Sequence, residues 1–344
     1  MKRPPVSSLP FAALTIFALS LALVGCSSGD GDSAANDAAA TPTASAPAAT
    51  ATTQGTTVPP TPTPMPTTEE SPTAGPTAVE ETQIEVLPTT IGQGETAMVK
   101  LWGQSAFSAT ATFDERRYPL VAEDGYFWGI VGAAGDAWSG THAITVELFN
   151  INGDLSTELA ASVAVVDMGY PVENIDLPDD VNNSLDPTLV QQENDARADV
   201  FAQFTAEKLW SGAFIWPAPQ VIVSPYGIRR SYNGGPVNSF HQGIDLAADE
   251  GVPVAASNSG RVAYVGSGPV HGNSVLIDHG DGVFSGYNHL SAISVQTGQM
   301  VNTGDIVGLN GSTGMATGPH LHWEVVVRGL PVDPVPWTLQ SMGY

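Results

Sequence analysis

Gly311-Ser-Thr-Gly-Met-Ala-Thr-Gly-Pro-His320-Leu-His322-Trp-Glu324-Val-Val-Val327 reads as a glycine-rich turn delivering a strand. Side chains alternate faces along a strand, so His320, His322 and Glu324 share one side while Leu321, Trp323, Val325 and Val327 share the other. The apolar set marks the core face and sends both histidines into a polar cleft. Two histidines two apart carry little weight alone. They gain it from His241-Gln-Gly-Ile-Asp245 upstream. Neutral imidazole and carboxylate are the usual nitrogen and oxygen ligands of zinc, and three protein ligands with one open position make a catalytic rather than a structural site. Between the two motifs, Tyr287-Asn-His289-Leu290 adds a histidine free to move protons.

Around these motifs strands recur from Val221 onward: Gly260 to Gly266, Asn273 to His279, Val283 to Leu290, Asp305 to Leu309 and His320 to Val327. No helical period interrupts them, so residues 217–344 are expected to form a mainly antiparallel β domain. Residues 82–170 show short apolar runs (Thr96 to Trp102, Tyr126 to Val131, His142 to Phe149) punctuated by Gly135-Asp136 and Asn152-Gly153. That spacing predicts a small β-sandwich, immunoglobulin-like in pattern though without a residue signature. Residues 171–216 are an acidic linker, irregular from Tyr170 to Leu185. A helix is predicted over about 187–210, opened by Asp186 as cap and Pro187 at its first position. The fold class is therefore mainly β, with a connecting helix.

The first 26 residues read as an export signal. Lys2 and Arg3 precede an apolar run from Phe11 to Val24 that is too short for a permanent span. Leu23-Val24-Gly25-Cys26 resembles the lipobox of bacterial lipoproteins, which implies cleavage before Cys26 and a lipid on its sulfur. Residues 27–81 are Ala, Thr, Pro, Ser and Gly with almost no large apolar residue, a composition expected to stay disordered as a tether. Cys26 is the single cysteine among 344 residues, which excludes intrachain disulfides and any cysteine-rich zinc site. The formal charge of −24 disfavours nucleic acid and anionic head groups as partners. The expected product is an exported monomer, lipid-anchored in the cell envelope.

The C-terminal segment resembles the catalytic domain of the lysostaphin/LytM-type zinc peptidases, which cut peptide bonds in bacterial peptidoglycan. The likeness runs through Ser224-Pro-Tyr-Gly-Ile-Arg229, Phe240-His-Gln-Gly-Ile-Asp245, Gly251-Val-Pro-Val254, Gly260-Arg-Val262, Gly272-Asn-Ser-Val-Leu-Ile-Asp-His-Gly280, Tyr287-Asn-His-Leu290 and Thr317-Gly-Pro-His-Leu-His-Trp-Glu324. It implies one zinc ion held by His241, Asp245 and His322, with His289 and His320 lining the site as catalytic residues. Which of the two acts as base is left open. The alternative reading is a non-catalytic peptidoglycan-binding or hydrolase-activating lipoprotein, and such relatives usually lack metal ligands that this chain retains.

Other residues are weighed against structural roles. Glu324 either supports a ligand or ends a solvated strand. Arg229 and Arg230 either meet substrate carboxylates or brace their loop, and Tyr232, Asn233 and Asn238 belong to a cleft wall. In some relatives an upstream asparagine fills the open metal position and keeps the enzyme latent; the sequence singles out neither Asn233 nor Asn238 for it. His142 and His279 read as structural, and His271 as an exposed loop residue.

Overall fold

The computed structural model describes residues 82–103, 106–179 and 185–340. The export signal, Cys26 and the tether lie outside the described residues. Within them the chain is mainly β, as expected.

Eight strands between Gln83 and Val166 pair in one continuous order. Arg116–Glu123 joins the two halves of that order. Its first part pairs antiparallel with Ser108–Phe113, and its last three residues pair with Tyr126–Gly132. The hairpin between Ser108–Phe113 and Arg116–Glu123 turns on Asp114 and Glu115, both at positive φ, the backbone that matches the strands' right-handed twist. Val99, Leu101, Ala111, Phe113, Val131, Ile144, Val146 and Leu148 fill the interior. His142 is structural: its ring stacks on Trp138 and lies 2.7 Å from both Asp114 and the carbonyl of Trp138.

In the C-terminal domain, Ile222–Ser224, Ile244–Ala247, His320–Val327, Val283–Leu290, Gly272–Gly280, Gly260–Gly268 and Met300–Val301 are successive neighbours of one antiparallel sheet. The strand His320–Val327 therefore lies inside the sheet, between Ile244–Ala247 and Val283–Leu290. Leu321, Trp323, Val325 and Val327 are wholly buried, as their alternation predicts. Tyr287 packs on the same core, its hydroxyl within 2.9 Å of Ser257 and Ser285.

The linker departs from expectation in two respects. Val172–Ile175, predicted irregular, forms a strand pairing in parallel with Arg229–Tyr232. The helix begins where predicted, with Asp186 accepting from the N–H groups of Thr188 and Leu189, but runs only from Pro187 to Phe201. Beyond Ala202 the chain is drawn onto the sheet: Thr205 donates from its hydroxyl to Asp278, its carbonyl accepts from Asp281 N, and Leu209 N donates to the His279 carbonyl. These tertiary bonds replace the helical ones that the sequence pattern would have continued.

The polar face of His320–Val327 also differs from expectation. Only His320 is partly exposed; of the others, Glu324 is covered by Arg197 of the linker helix. Glu324 is buried against Arg197 of that helix, so the solvated-strand-end reading does not hold.

Candidate functional site

Adjacent strands bring three side chains together. Ile244–Ala247 pairs with His320–Val327 so that Asp245 lies opposite His322, while His241 enters just before its own strand. His241 Nε2, His322 Nδ1 and Asp245 Oδ1 stand 2.9–3.0 Å apart in every pairing. Gly243 lies between His241 and Asp245, and a Cβ there would meet the Trp323 carbonyl and the His322 ring, so only glycine lets the segment lie this close to the strand.

The surroundings hold each group in place. His241 Nδ1 donates to the Pro225 carbonyl at 2.9 Å, which leaves the lone pair of Nε2 facing the centre. Burial pushes His241 down to about 4, although the nearby Asp245 carboxylate favours the protonated ring, so it is neutral near pH 7. Burial raises the Asp245 carboxyl, but the imidazoles of His241 and His322, whose nitrogens lie 3.0 and 2.9 Å from Oδ1, outweigh it and keep Asp245 ionised. Arg230 Nη2 adds a bond to Asp245 Oδ2 at 3.3 Å, and its Nε lies 3.8 Å from Glu173 of the linker strand.

Two further histidines face this cluster. Their rings are 4.7 Å apart. His289 Nδ1 donates to the Thr313 carbonyl and His320 Nδ1 to the Gly318 carbonyl, both at 2.8 Å, so each presents Nε2 as its free nitrogen. His320 Nε2 lies 3.8 Å from Asp245 Oδ1. Burial, then the neighbouring His320 and His322, lower His289 to about 3. His289 also has φ +62°, an uncommon backbone for a non-glycine residue and one found preferentially at functional positions.

These groups line a cleft of about 350 Å³ together with Arg230, Tyr232, Phe240, Gln242, His271 and Met315. Tyr232 thus occupies the wall where the sequence put it. Arg229 does not: alternation along its strand turns it into a separate cavity with Tyr170 and Asn238. Asn233 accepts from Leu177 N at 2.8 Å and holds the linker. His279 is structural, bonded at 2.7 Å to the Ser259 carbonyl and to Ser285.

Sequence reasoning missed the linker's share. Ile175, Leu177, Val190 and Asn194 line the same cleft. Arg197 bonds Glu324, which accepts from Asn288 Nδ2 at 3.1 Å; Asn288 is the cross-strand partner of His322. The charge of Arg197 overcomes burial and holds Glu324 down at about 2. Glu193 accepts from Val270 N, His271 N and His271 Nδ1 at 2.8–2.9 Å, so His271 is a held cleft residue instead of an exposed loop residue.

The donor set suits a divalent metal. A tetrahedral ion bonded at about 2.0–2.1 Å spaces its ligands about 3.3 Å apart, close to the separations of the three atoms here. Among the described residues this is the one cluster of three or more such side chains whose ligand atoms lie within 4.8 Å of one another.

Residues 239–334 match the family described as Peptidase family M23. DD-carboxypeptidase/endopeptidase Mpg of Neisseria meningitidis serogroup B is 44% identical over 117 residues, covering 33% of this chain and 26% of that protein. Peptidoglycan DD-endopeptidase ShyA of Vibrio cholerae is 47% identical over 93 residues, 27% of this chain and 22% of that one. The chain thus spans about a quarter of the length of these curated relatives. A crystal structure described as a peptidase M23 from Pseudomonas aeruginosa shares the fold at TM-score 0.53 and 24% identity, over 72% of this chain and 93% of that one.

Proposed function

We propose that this chain, whose residues 239–334 match peptidase family M23, is a zinc-dependent endopeptidase hydrolysing peptide bonds of bacterial peptidoglycan. The observation that carries the reading is the convergence of His241, Asp245 and His322 beside two histidines whose Nε2 atoms are free. A relative named peptidoglycan DD-endopeptidase supplies the substrate class. A zinc ion bound by the three ligands would supply a water of lowered pKa and a Lewis acid for the scissile carbonyl.

The chain's own side chains do the rest. Asp245 and the two ligand histidines are pre-oriented by Arg230, the Pro225 carbonyl and the linker, so little reorganisation is needed to bind the ion. His320 accepts the proton of the attacking water at Nε2: its Nδ1 already carries a hydrogen, and Asp245 stabilises the imidazolium that forms. The same nitrogen then protonates the leaving amine. His289 stays neutral in its buried position and lines the cleft beside His320 and His322. A non-catalytic binding role is disfavoured because all three candidate ligands and both candidate catalytic histidines are retained.

Metal content and digestion of purified peptidoglycan test the assignment together. His322→Ala should lose both zinc and activity. His320→Ala should keep about one zinc per chain while turnover falls by about 10²–10⁴. A His320→Ala protein digesting walls at the parental rate would remove its role as base. We also propose that the apolar run ending at Cys26 delivers the enzyme to the envelope on a lipid anchor. Cys26→Ser should release it from membranes, and a variant still fully membrane-bound would exclude that anchor.

A further inference from the structure

The cleft does not end at the metal centre. It meets a second cavity of about 360 Å³, lined by Arg197, Phe201, Arg328 and Pro331, and both cavities share Asn194, Gln242 and His271. His271 therefore stands at the junction, its ring 6.4 Å from that of His322. Extended peptide advances about 3.3 Å per residue, so a strand of substrate leaving the reaction centre reaches His271 within about two residues.

The chemistry of that ring is set by the linker. Glu193 is a carboxylate that accepts from two backbone N–H groups and from His271 Nδ1. Burial opposes its ionisation, but these bonds hold it down at about 2, so it accepts throughout the working range. Nδ1 must then carry the hydrogen, which leaves Nε2 with a lone pair and no partner among the described residues. The structural His279 has both ring nitrogens bonded, whereas His271 keeps its second nitrogen for a ligand.

We propose that His271, positioned by Glu193, is a specificity residue that accepts a hydrogen bond at Nε2 from an amide N–H of the substrate peptide within two residues of the scissile bond. It rests on the peptidoglycan-endopeptidase reading for the identity of the substrate. The helix Pro187–Phe201 is then part of the binding site as well as a connector. Glu193 acts through His271 and does not touch the substrate.

The test is an ester scan on the full chain. Affinities of a synthetic peptidoglycan peptide, with each amide in turn replaced by an ester, are measured by calorimetry in the presence of chelator, so that nothing is turned over. For the parent, one ester near the cleavage point should weaken binding about three- to tenfold, the worth of one hydrogen bond. In His271→Phe, which keeps the ring volume but removes the acceptor, that penalty should vanish while the other positions behave as in the parent. Glu193→Gln, which retains an acceptor for Nδ1–H, should preserve the penalty, and Glu193→Ala should erase it. An equal penalty in parent and His271→Phe at every position would overturn the proposal. So would a parent indifferent to every ester, which decides the matter even where a variant fails to fold. Zinc-loaded parent is assayed alongside on the all-amide peptide. Cleavage without His271 coupling sinks only this inference, whereas absence of both binding and cleavage sinks the endopeptidase reading with it.

Discussion

Asp281 shows how residues outside the reaction centre set the pH range in which the domain is stable. It is buried, its Oδ2 has no hydrogen-bond partner, and burial raises its carboxyl to about 8 despite Arg328 and Lys208 nearby. In the unfolded chain it would ionise near 4. Between about pH 4 and 8 the folded state therefore binds the extra proton, and stability falls as pH rises through that window. Asp281→Asn removes the titration and suits the residue's positive φ. Urea melts should show the variant more stable than the parent at pH 8, with the difference shrinking toward pH 4. A constant difference would contradict the assignment. Glu193 works in the opposite sense: its folded value of about 2 lies below the unfolded one, so its contribution is present above about pH 4.5 and is lost as pH falls toward 2.

The linker helix carries the largest energetic claim. Arg197 and Glu324 are 5% and 2% exposed, so removing one partner leaves the other charged in the interior. Breaking such a pair costs about 3–5 kcal/mol, whereas replacing both partners costs much less. Arg197→Ala should lower unfolding free energy by about that amount, and Arg197→Met with Glu324→Gln should recover most of it. A single-variant loss under about 1 kcal/mol would mean that the pair is solvated. None of this was readable beforehand, and the reason is physical. His320–Val327 announces itself because apolar and polar residues alternate over its length, and the metal motifs because their chemistry is local. Val172–Ile175 is four residues long, holds Glu173 and Asn174, and becomes a strand only by pairing with Arg229–Tyr232 far along the chain. Glu193 and Arg197 look like the solvated face of a connecting helix until the loop carrying His271 and the strand carrying Glu324 meet them. Arg229 and Arg230 could not be separated without knowing which face of their strand the cleft occupies.

The two β domains share one apolar interior. Tyr226, Trp210 and Trp128 are each at most 3% exposed; Tyr226 packs over Gly94, Trp210 lies edge-on to Trp128, and Asp333 N donates to the Gly94 carbonyl at 2.7 Å. Excising residues 82–170 would uncover this surface, so activity belongs to the full chain and is best measured on it. Under the proposed function, one metal ion gathered by Asp245 and His322 on neighbouring strands, and by His241 just before the first of them, makes this fold a wall peptidase. Chelator-treated full-length protein titrated with zinc, with bound metal and released peptidoglycan fragments followed in the same samples, tests it most directly. The account predicts that activity is absent without metal and returns in proportion to zinc up to one ion per chain. Digestion undiminished by chelation, or no stoichiometric zinc uptake, would contradict it.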